Sequence, residues 1–203
     1  MTVERCIDSS PADWLVNQER DWRSLAGSGP LGYTRYARLR FIPDPEFPGQ
    51  REGDVPSVDG PSESWQLAVA VSRLAGHTAT PNDCYYLFWD GWPQSAYKRA
   101  GAATVDIRDE RGYAVRGYYL FRGTTDMSSL MPLDRPTTRA ALDAEWPIPA
   151  FIWPADGAWC VTNDVDPHFA TIGGSSEAIA DLLREKRIDV VPDDPAVDPP
   201  FYS

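Results

Sequence analysis

The spacing of apolar residues along the chain predicts most of the strands of a sheet. Between residues 33 and 42 apolar and polar positions alternate, with Ala37, Leu39 and Phe41 on one face, which is the period of a half-buried strand. The run from Cys84 to Trp89 is apolar or aromatic at every position and predicts a strand covered on both faces. Similar runs predict strands at residues 113–122, 150–153, 159–165 and 169–172, and residues 188–191 suggest a short edge strand.

Capping residues and helical periodicity predict three helices. The first occupies residues 10–27 and the second residues 62–75. The third begins after Ser175 or Ser176 and ends near residue 187 in a basic last turn. The order of these elements favours an α+β fold with a mainly antiparallel sheet of about five or six strands and three helices.

Composition divides the chain into one predicted domain and a tail. Residues 1–191 are predicted to form a single α+β domain, a size within the usual range for one hydrophobic core. Residues 43–62 hold five prolines and three glycines without a periodic apolar set, which predicts a long loop. Residues 192–203 hold four prolines and three aspartates, so we expect an acidic, proline-rich, mobile tail.

Charge and hydropathy narrow the classes of function. The chain has 30 acidic and 19 basic side chains and a net charge of −11, which argues against a nucleic-acid partner. Its apolar runs are too short for a membrane span, and its first thirty residues lack the apolar core of a signal peptide, so we expect a cytoplasmic protein without a membrane partner. Three cysteines without a C-x-x-C spacing are expected to be reduced and buried, and no motif predicts a cofactor.

Tryptophan and aspartate cluster in two turn-like segments that follow predicted strands. One contains Trp89, Asp90 and Trp92, and the other contains Trp153 and Asp156. Exposed tryptophans are common at the centres of binding interfaces, and adjacent aspartates can pair with basic residues of a partner. The alternative is that these tryptophans cover the ends of the sheet as part of the core, as most of the eight in the chain must do.

A third group of candidate residues lies in the segment Asn-Asp-Val-Asp-Pro-His at 163–168. If the strand predicted at 159–165 continues through it, Asp164 and Asp166 share one face, and His168 can join them as a metal-ligand or acid–base set. We favour a turn over this ligand set, because Asp-Pro and Asn commonly open turns at strand ends. The spacing does not match a calcium-binding loop.

Two resemblances bear on function. The pattern Trp-Pro-x-Asp-x-x-Trp-Cys at 153–160, followed by Asp-Val-Asp and Gly-Gly-Ser, resembles a family of uncharacterised actinobacterial proteins, which implies a bacterial, cytosolic protein. The order of strand, strand, Gly-Gly and amphipathic helix across residues 159–187 resembles the end of the SUKH superfamily of bacterial toxin-immunity proteins. That second resemblance implies a protein that binds another protein.

These observations favour a non-enzymatic, immunity-like module that binds a basic protein partner through an acidic, tryptophan-rich surface. The predicted binding residues are Trp89, Asp90, Trp92, Trp153, Asp156, Asp164, Asp166 and His168. The alternative is a small hydrolase or metal-dependent enzyme that uses Asp164, Asp166 and His168. The sequence assigns neither a catalytic set nor an oligomeric state.

Overall fold

The described strands form one antiparallel sheet. The computed structural model describes residues 3–55, 60–93, 98, 101–127 and 147–203, and within these residues the chain has an α+β fold with nine strands. The strands are β1 (Glu4–Arg5), β2 (Arg35–Arg40), β3 (Cys84–Trp89), β4 (Thr104–Arg108), β5 (Ala114–Gly123), β6 (Phe151–Pro154), β7 (Trp159–Thr162), β8 (Phe169–Gly174) and β9 (Val190–Asp193). The predicted fold class is confirmed, but the predicted number of strands is wrong.

The order of the strands determines which loops meet. It is β1-β5-β3-β6-β7-β8-β2-β9, and β4 pairs with β5 on the same side as β1. The prediction omitted β1, which has only two residues, and β4, in which only Val105 and Ile107 are buried apolar residues. Strand β7 ends at Thr162, so residues 163–168 form a loop and not the continuation of the strand.

Four α-helices lie within the described residues, not three. They are α1 (Asp13–Val16), α2 (Trp22–Ser28), α3 (Glu63–Leu74) and α4 (Ser176–Leu182), with 3-10 turns at Ser10–Ala12, Glu52–Asp54 and Ala75–His77. The predicted first helix divides because the Asp21 side chain accepts hydrogen bonds from the backbone N–H groups of Arg23 and Ser24 and starts a new helix. The other two helices begin as predicted, after Ser62 and Ser175, whose hydroxyls cap their first turns.

Both faces of the sheet are covered. Along β3, Cys84, Tyr86 and Phe88 enter a core shared with α3 and α4, whereas Leu87 enters a second core shared with Leu15 of α1 and with α2. The alternation follows from the two-residue period of a strand. The apolar run of β3 was therefore a sound signal of a strand covered on both faces.

An ionic cluster lies beneath the tail on the β2–β8 part of the sheet. Arg38 is 8% exposed and its guanidinium contacts Asp44 at 2.7 Å and Asp193 at 3.1 Å. Burial opposes the charge of Asp44, but hydrogen bonds from Arg38, His168 and Arg40 outweigh it and lower the pKa of Asp44. The predicted loop at 43–62 is thus fastened to the sheet at Asp44; its residues 56–59 lie outside the described part.

The tail begins as an edge strand. Residues 192 and 193, predicted to belong to the tail, complete β9, which pairs with β2. Beyond β9 the tail contacts the body at Phe201, Tyr202 and Ser203. These contacts show where the tail lies, and its mobility stays a prediction.

Candidate functional site

The antiparallel register brings two of the predicted segments to one end of the sheet. Strand β3 ends at Trp89, and its residue Leu87 pairs with Phe151 of β6, which pairs with Thr162 at the end of β7. The turn at 90–93 and the loop at 163–168 therefore leave the sheet at the same end. Trp89, Asp90, Trp92, Asp164, Asp166 and His168 all belong to this end.

Arg116 of β5 connects the two segments. Its Nη2 group donates to Asp164 Oδ2 at 3.1 Å and to Asp166 Oδ2 at 3.0 Å. Its Cζ atom lies 5.4 Å from the centroid of the Trp89 ring, which is a cation–π distance. The two aspartates thus meet as the sequence suggested, but they share an arginine and not the face of a strand.

Burial changes the pKa of the Asp164 carboxyl group. Desolvation raises the pKa of Asp164 above its usual value, and Arg116 offsets only part of that rise. On the same strand as Arg116, the hydroxyl of Tyr118 is buried without a hydrogen-bond partner among the described residues, and burial raises its pKa. Burial therefore opposes the charge of Asp164, and Arg116 supports it.

The turn after β3 is compact because of two glycines. The indoles of Trp89 and Trp92 meet edge to face, with centroids 5.8 Å apart. A Cβ atom at Gly91 would overlap the Trp89 indole, and a Cβ atom at Gly117 would lie 2.6 Å from Asp90 Oδ2. Asp90 is exposed, and its backbone N–H donates to the Gly117 carbonyl at 2.9 Å. The turn therefore packs closely against β5.

An acidic recess lies beside this turn. It has a volume of about 290 Å³ and is lined by Trp92, the loop at 163–168 and the start of α3. Four carboxylates line it, those of Glu52, Glu63, Asp164 and Asp166, and the described lining includes no Lys or Arg. Carboxylates in a concave site focus negative potential toward a ligand.

His168 lines the recess but belongs to a different network from Asp164. Its Nε2 atom lies 3.1 Å from Asp44 Oδ1, and the side chain of His168 is only 2% exposed. Burial lowers the pKa of His168 although Asp44 raises it, so the imidazole is neutral at pH 7 and its Nε2–H group donates to Asp44. The predicted trio of Asp164, Asp166 and His168 is therefore divided between two ionic networks.

The other predicted segment lies at the opposite end of the sheet. Trp153 is 2% exposed, stacks on Tyr85 at 5.5 Å and meets Trp14 edge to face at 5.9 Å. Asp156 accepts hydrogen bonds from the Thr78 hydroxyl at 2.8 Å and from the Ala79 backbone N–H at 2.7 Å. Burial opposes its charge, yet these hydrogen bonds lower the pKa of Asp156. Both residues stabilise local structure and do not join the recess.

Three contributors to this end were not identified from the sequence. Arg116 carried a signal, because it is a charged residue inside a predicted strand. Glu52 and Glu63 carried none, since their place in the recess depends on how the loop at 43–55 and α3 pack against the sheet.

Comparisons of the chain with protein-family models, with curated proteins and with solved structures found no match. Among the described residues, no group of three or more His, Cys, Asp or Glu side chains is arranged to hold a metal ion. In the same residues, no helix has the length and apolar character needed to cross a bilayer.

Proposed function

We propose that the protein is an immunity-like binding module that docks a basic protein through the acidic recess and the adjoining tryptophan turn. The observation that carries this proposal is the lining of the recess, which combines four carboxylates with Trp92 and contains no described Lys or Arg. The resemblance to toxin-immunity proteins implies a partner of the same general type.

The chemistry of the recess suits an arginine or lysine side chain of a partner. Trp92 offers an indole for a cation–π contact, and Asp166, whose side chain is 78% exposed, offers a carboxylate near it. The net charge of −11 would attract a basic partner over a longer range and increase its rate of association. The contacts in the recess and the long-range attraction would thus both favour a basic partner.

The metal-dependent alternative receives less support. Asp164 and Asp166 both contact the Arg116 guanidinium, and a divalent cation placed between them would meet that positive charge. His168 donates to Asp44 and is not turned toward the pair as a ligand. We therefore do not propose an enzymatic function for this end of the sheet.

A labelled nona-arginine peptide tests the site by fluorescence anisotropy, with a nona-glutamate peptide as the negative probe. We expect Asp166→Asn to weaken nona-arginine binding about 5-fold, which corresponds to about 1 kcal/mol. The matched control is Glu19→Gln, which removes the same charge at an exposed position between α1 and α2 and should change binding less than about 2-fold. Equal weakening by the two variants would show attraction to the whole surface and would refute the recess as the site.

Trp92→Ala provides the second arm. The indole of Trp92 is partly buried and packs against the core and on Trp89, so we expect a lower melting temperature, and we expect weaker nona-arginine binding at a temperature where the variant is still fully folded. Unchanged binding by the folded variant would assign Trp92 to the core alone. Affinity capture from a bacterial lysate, compared between the wild type and Trp92→Ala, would then identify the basic partner, and an unchanged set of captured proteins would contradict the proposal.

A further inference from the structure

The tail crosses the face of β2 and β8 that carries Arg38 and Phe169. After Asp193, which contacts Arg38 Nε at 3.1 Å, the chain passes Arg20, whose guanidinium donates to the Pro195 carbonyl at 3.3 Å. It then reaches Phe201, whose ring centroid lies 5.6 Å from that of Phe169. The tail thus supplies a covering layer over β2 and β8.

The end of the tail fastens a wall of the acidic recess. The Tyr202 ring meets the His168 imidazole edge to face at 4.8 Å, and the Tyr202 hydroxyl donates to the Pro43 carbonyl at 2.6 Å. The backbone N–H of Ser203 donates to the Gln50 carbonyl at 2.9 Å. His168 lines the recess directly, and the loop at 43–55, held at Pro43 and Gln50, contributes Glu52 to it.

Contacts of this kind can be released without unfolding the sheet. Beyond β9 the tail includes Pro195, Pro199 and Pro200, which have no N–H group with which to extend a β-ladder. Val197 is 64% exposed and Phe201 is 52% exposed, so these two apolar side chains of the tail are themselves only partly buried. Segments with few buried contacts open at low free-energy cost compared with global unfolding.

We propose that residues 194–203 act as a latch that sets the shape of the acidic recess. With Tyr202 seated on His168, the loop at 43–55 is held and Glu52 stays at the recess. With Tyr202 released, the loop loosens and the recess loses one acidic wall. A partner that favours the closed recess would seat the latch, and a ligand that takes the tail would weaken that partner's binding. This regulatory role rests on the proposed function, whereas the fastening of the loop does not.

Hydrogen exchange measured by mass spectrometry on the full chain tests the fastening without any ligand. We expect Tyr202→Ala to speed exchange of the amides at 43–55 by about 5-fold or more, since their opening free energy falls. Tyr202→Phe, which removes only the hydroxyl that bonds to Pro43, should give a smaller increase. The matched control is Tyr113→Ala, because Tyr113 is 68% exposed and lies in the turn between β4 and β5, on the other side of the sheet order from β2 and β9. Unchanged exchange in Tyr202→Ala would overturn the latch.

Binding of nona-arginine tests the regulatory half. We expect Tyr202→Ala to weaken it about 3-fold or more, with Tyr113→Ala near the wild type. If Tyr202→Ala exchanges faster but binds nona-arginine with unchanged affinity, the regulatory role is refuted. The effect of Asp166→Asn would still show whether the recess is the binding site. If Asp166→Asn and Glu19→Gln have equal effects, the proposed function fails, and the exchange result alone then decides whether the latch exists.

Discussion

Replacing Arg116 with methionine gives the sharpest test of how the recess is built. Methionine replaces the aliphatic stem of the side chain with an apolar one of similar length but removes the guanidinium that binds Asp164 and Asp166. The side chain of Asp164 is only 10% exposed, so the variant leaves a carboxylate buried without its cation. We therefore expect a marked loss of stability and not the neutral outcome usual for a surface ion pair.

The expected loss at pH 7 is about 3 kcal/mol in the free energy of unfolding, the lower end of the roughly 3–5 kcal/mol for removing one partner of a buried pair. We choose the lower end because Arg116 is 17% exposed and water can reach part of the site. The cation–π contact with Trp89 adds about 0.5–1 kcal/mol to what is lost. The double variant Arg116→Met, Asp164→Asn should recover about half of the loss, because it no longer buries a charge.

The pH dependence distinguishes a buried charge from lost packing. In the folded protein burial raises the pKa of Asp164 above that of the unfolded chain, so the folded state holds a proton that the unfolded state releases. This group therefore lowers stability as pH rises through the window above the ordinary aspartate value. Without Arg116 the pKa of Asp164 should rise further, so the deficit of Arg116→Met should shrink as pH falls from 7 toward 4.

The assay is urea unfolding followed by tryptophan fluorescence at pH 7 and pH 4, with equal m-values required for comparison. The reasoning would be refuted by a loss below about 1 kcal/mol at pH 7. It would also be refuted by a deficit that is the same at both pH values, or by a double variant no more stable than Arg116→Met.

Two further predictions concern residues that stabilise the fold. Gly173→Ala should lower the free energy of unfolding by about 1–3 kcal/mol, because the new Cβ atom would lie 2.8 Å from Tyr33 Cγ. Gly174→Ala should stay within about 1 kcal/mol of the wild type, because its Cβ atom would lie 3.5 Å from the nearest atoms. Urea midpoints of the two variants measure this difference, and similar losses would contradict it. Trp153→Ala should cost about 3–5 kcal/mol in the same assay, since the indole is buried between two aromatic rings. A urea midpoint near that of the wild type, together with altered binding of nona-arginine, would instead show that Trp153 belongs to a binding surface.

The elements with strong local signals were predictable. Strand β3 has the bounds that its apolar run indicated, and α3 begins after Ser62 as its cap predicted. Strand β1 was not predictable from apolar pattern, because its two residues are exposed and it has its place through pairing with β5. Strand β4 does alternate, with Val105 and Ile107 buried, but this short signal was overlooked. The turn expected at 163–168 is confirmed, whereas the strand predicted at 159–165 ends early, at Thr162. The bonds of this loop to Arg116 join residues 48 and 50 positions apart, so a local pattern does not contain them.

The candidate site was predictable only in its residue types. The segments around Trp92 and Trp153 look alike in sequence, and each follows a strand. Strands β3 and β6 are antiparallel neighbours, so the turn that follows one lies at the opposite end of the sheet from the turn that follows the other. The pairing of strands therefore decides which tryptophan can meet the aspartates at 164 and 166, and pairing is a long-range property that local patterns do not contain.

The arginines at this end of the sheet contact the loop carboxylates from the strands. Arg38, Arg40 and Arg116 each reach an aspartate from a strand of the sheet, and together they fasten the loops at this end. Their positive charges thus lie against the sheet beneath the loops, while the described lining of the recess presents carboxylates and an indole. A partner approaching from solvent would meet the carboxylates first, and the arginines behind them would hold the carboxylates in place. The proposed latch would act on the same arrangement, because Asp44, which Arg38 and Arg40 hold, bonds to His168, and Tyr202 packs on His168.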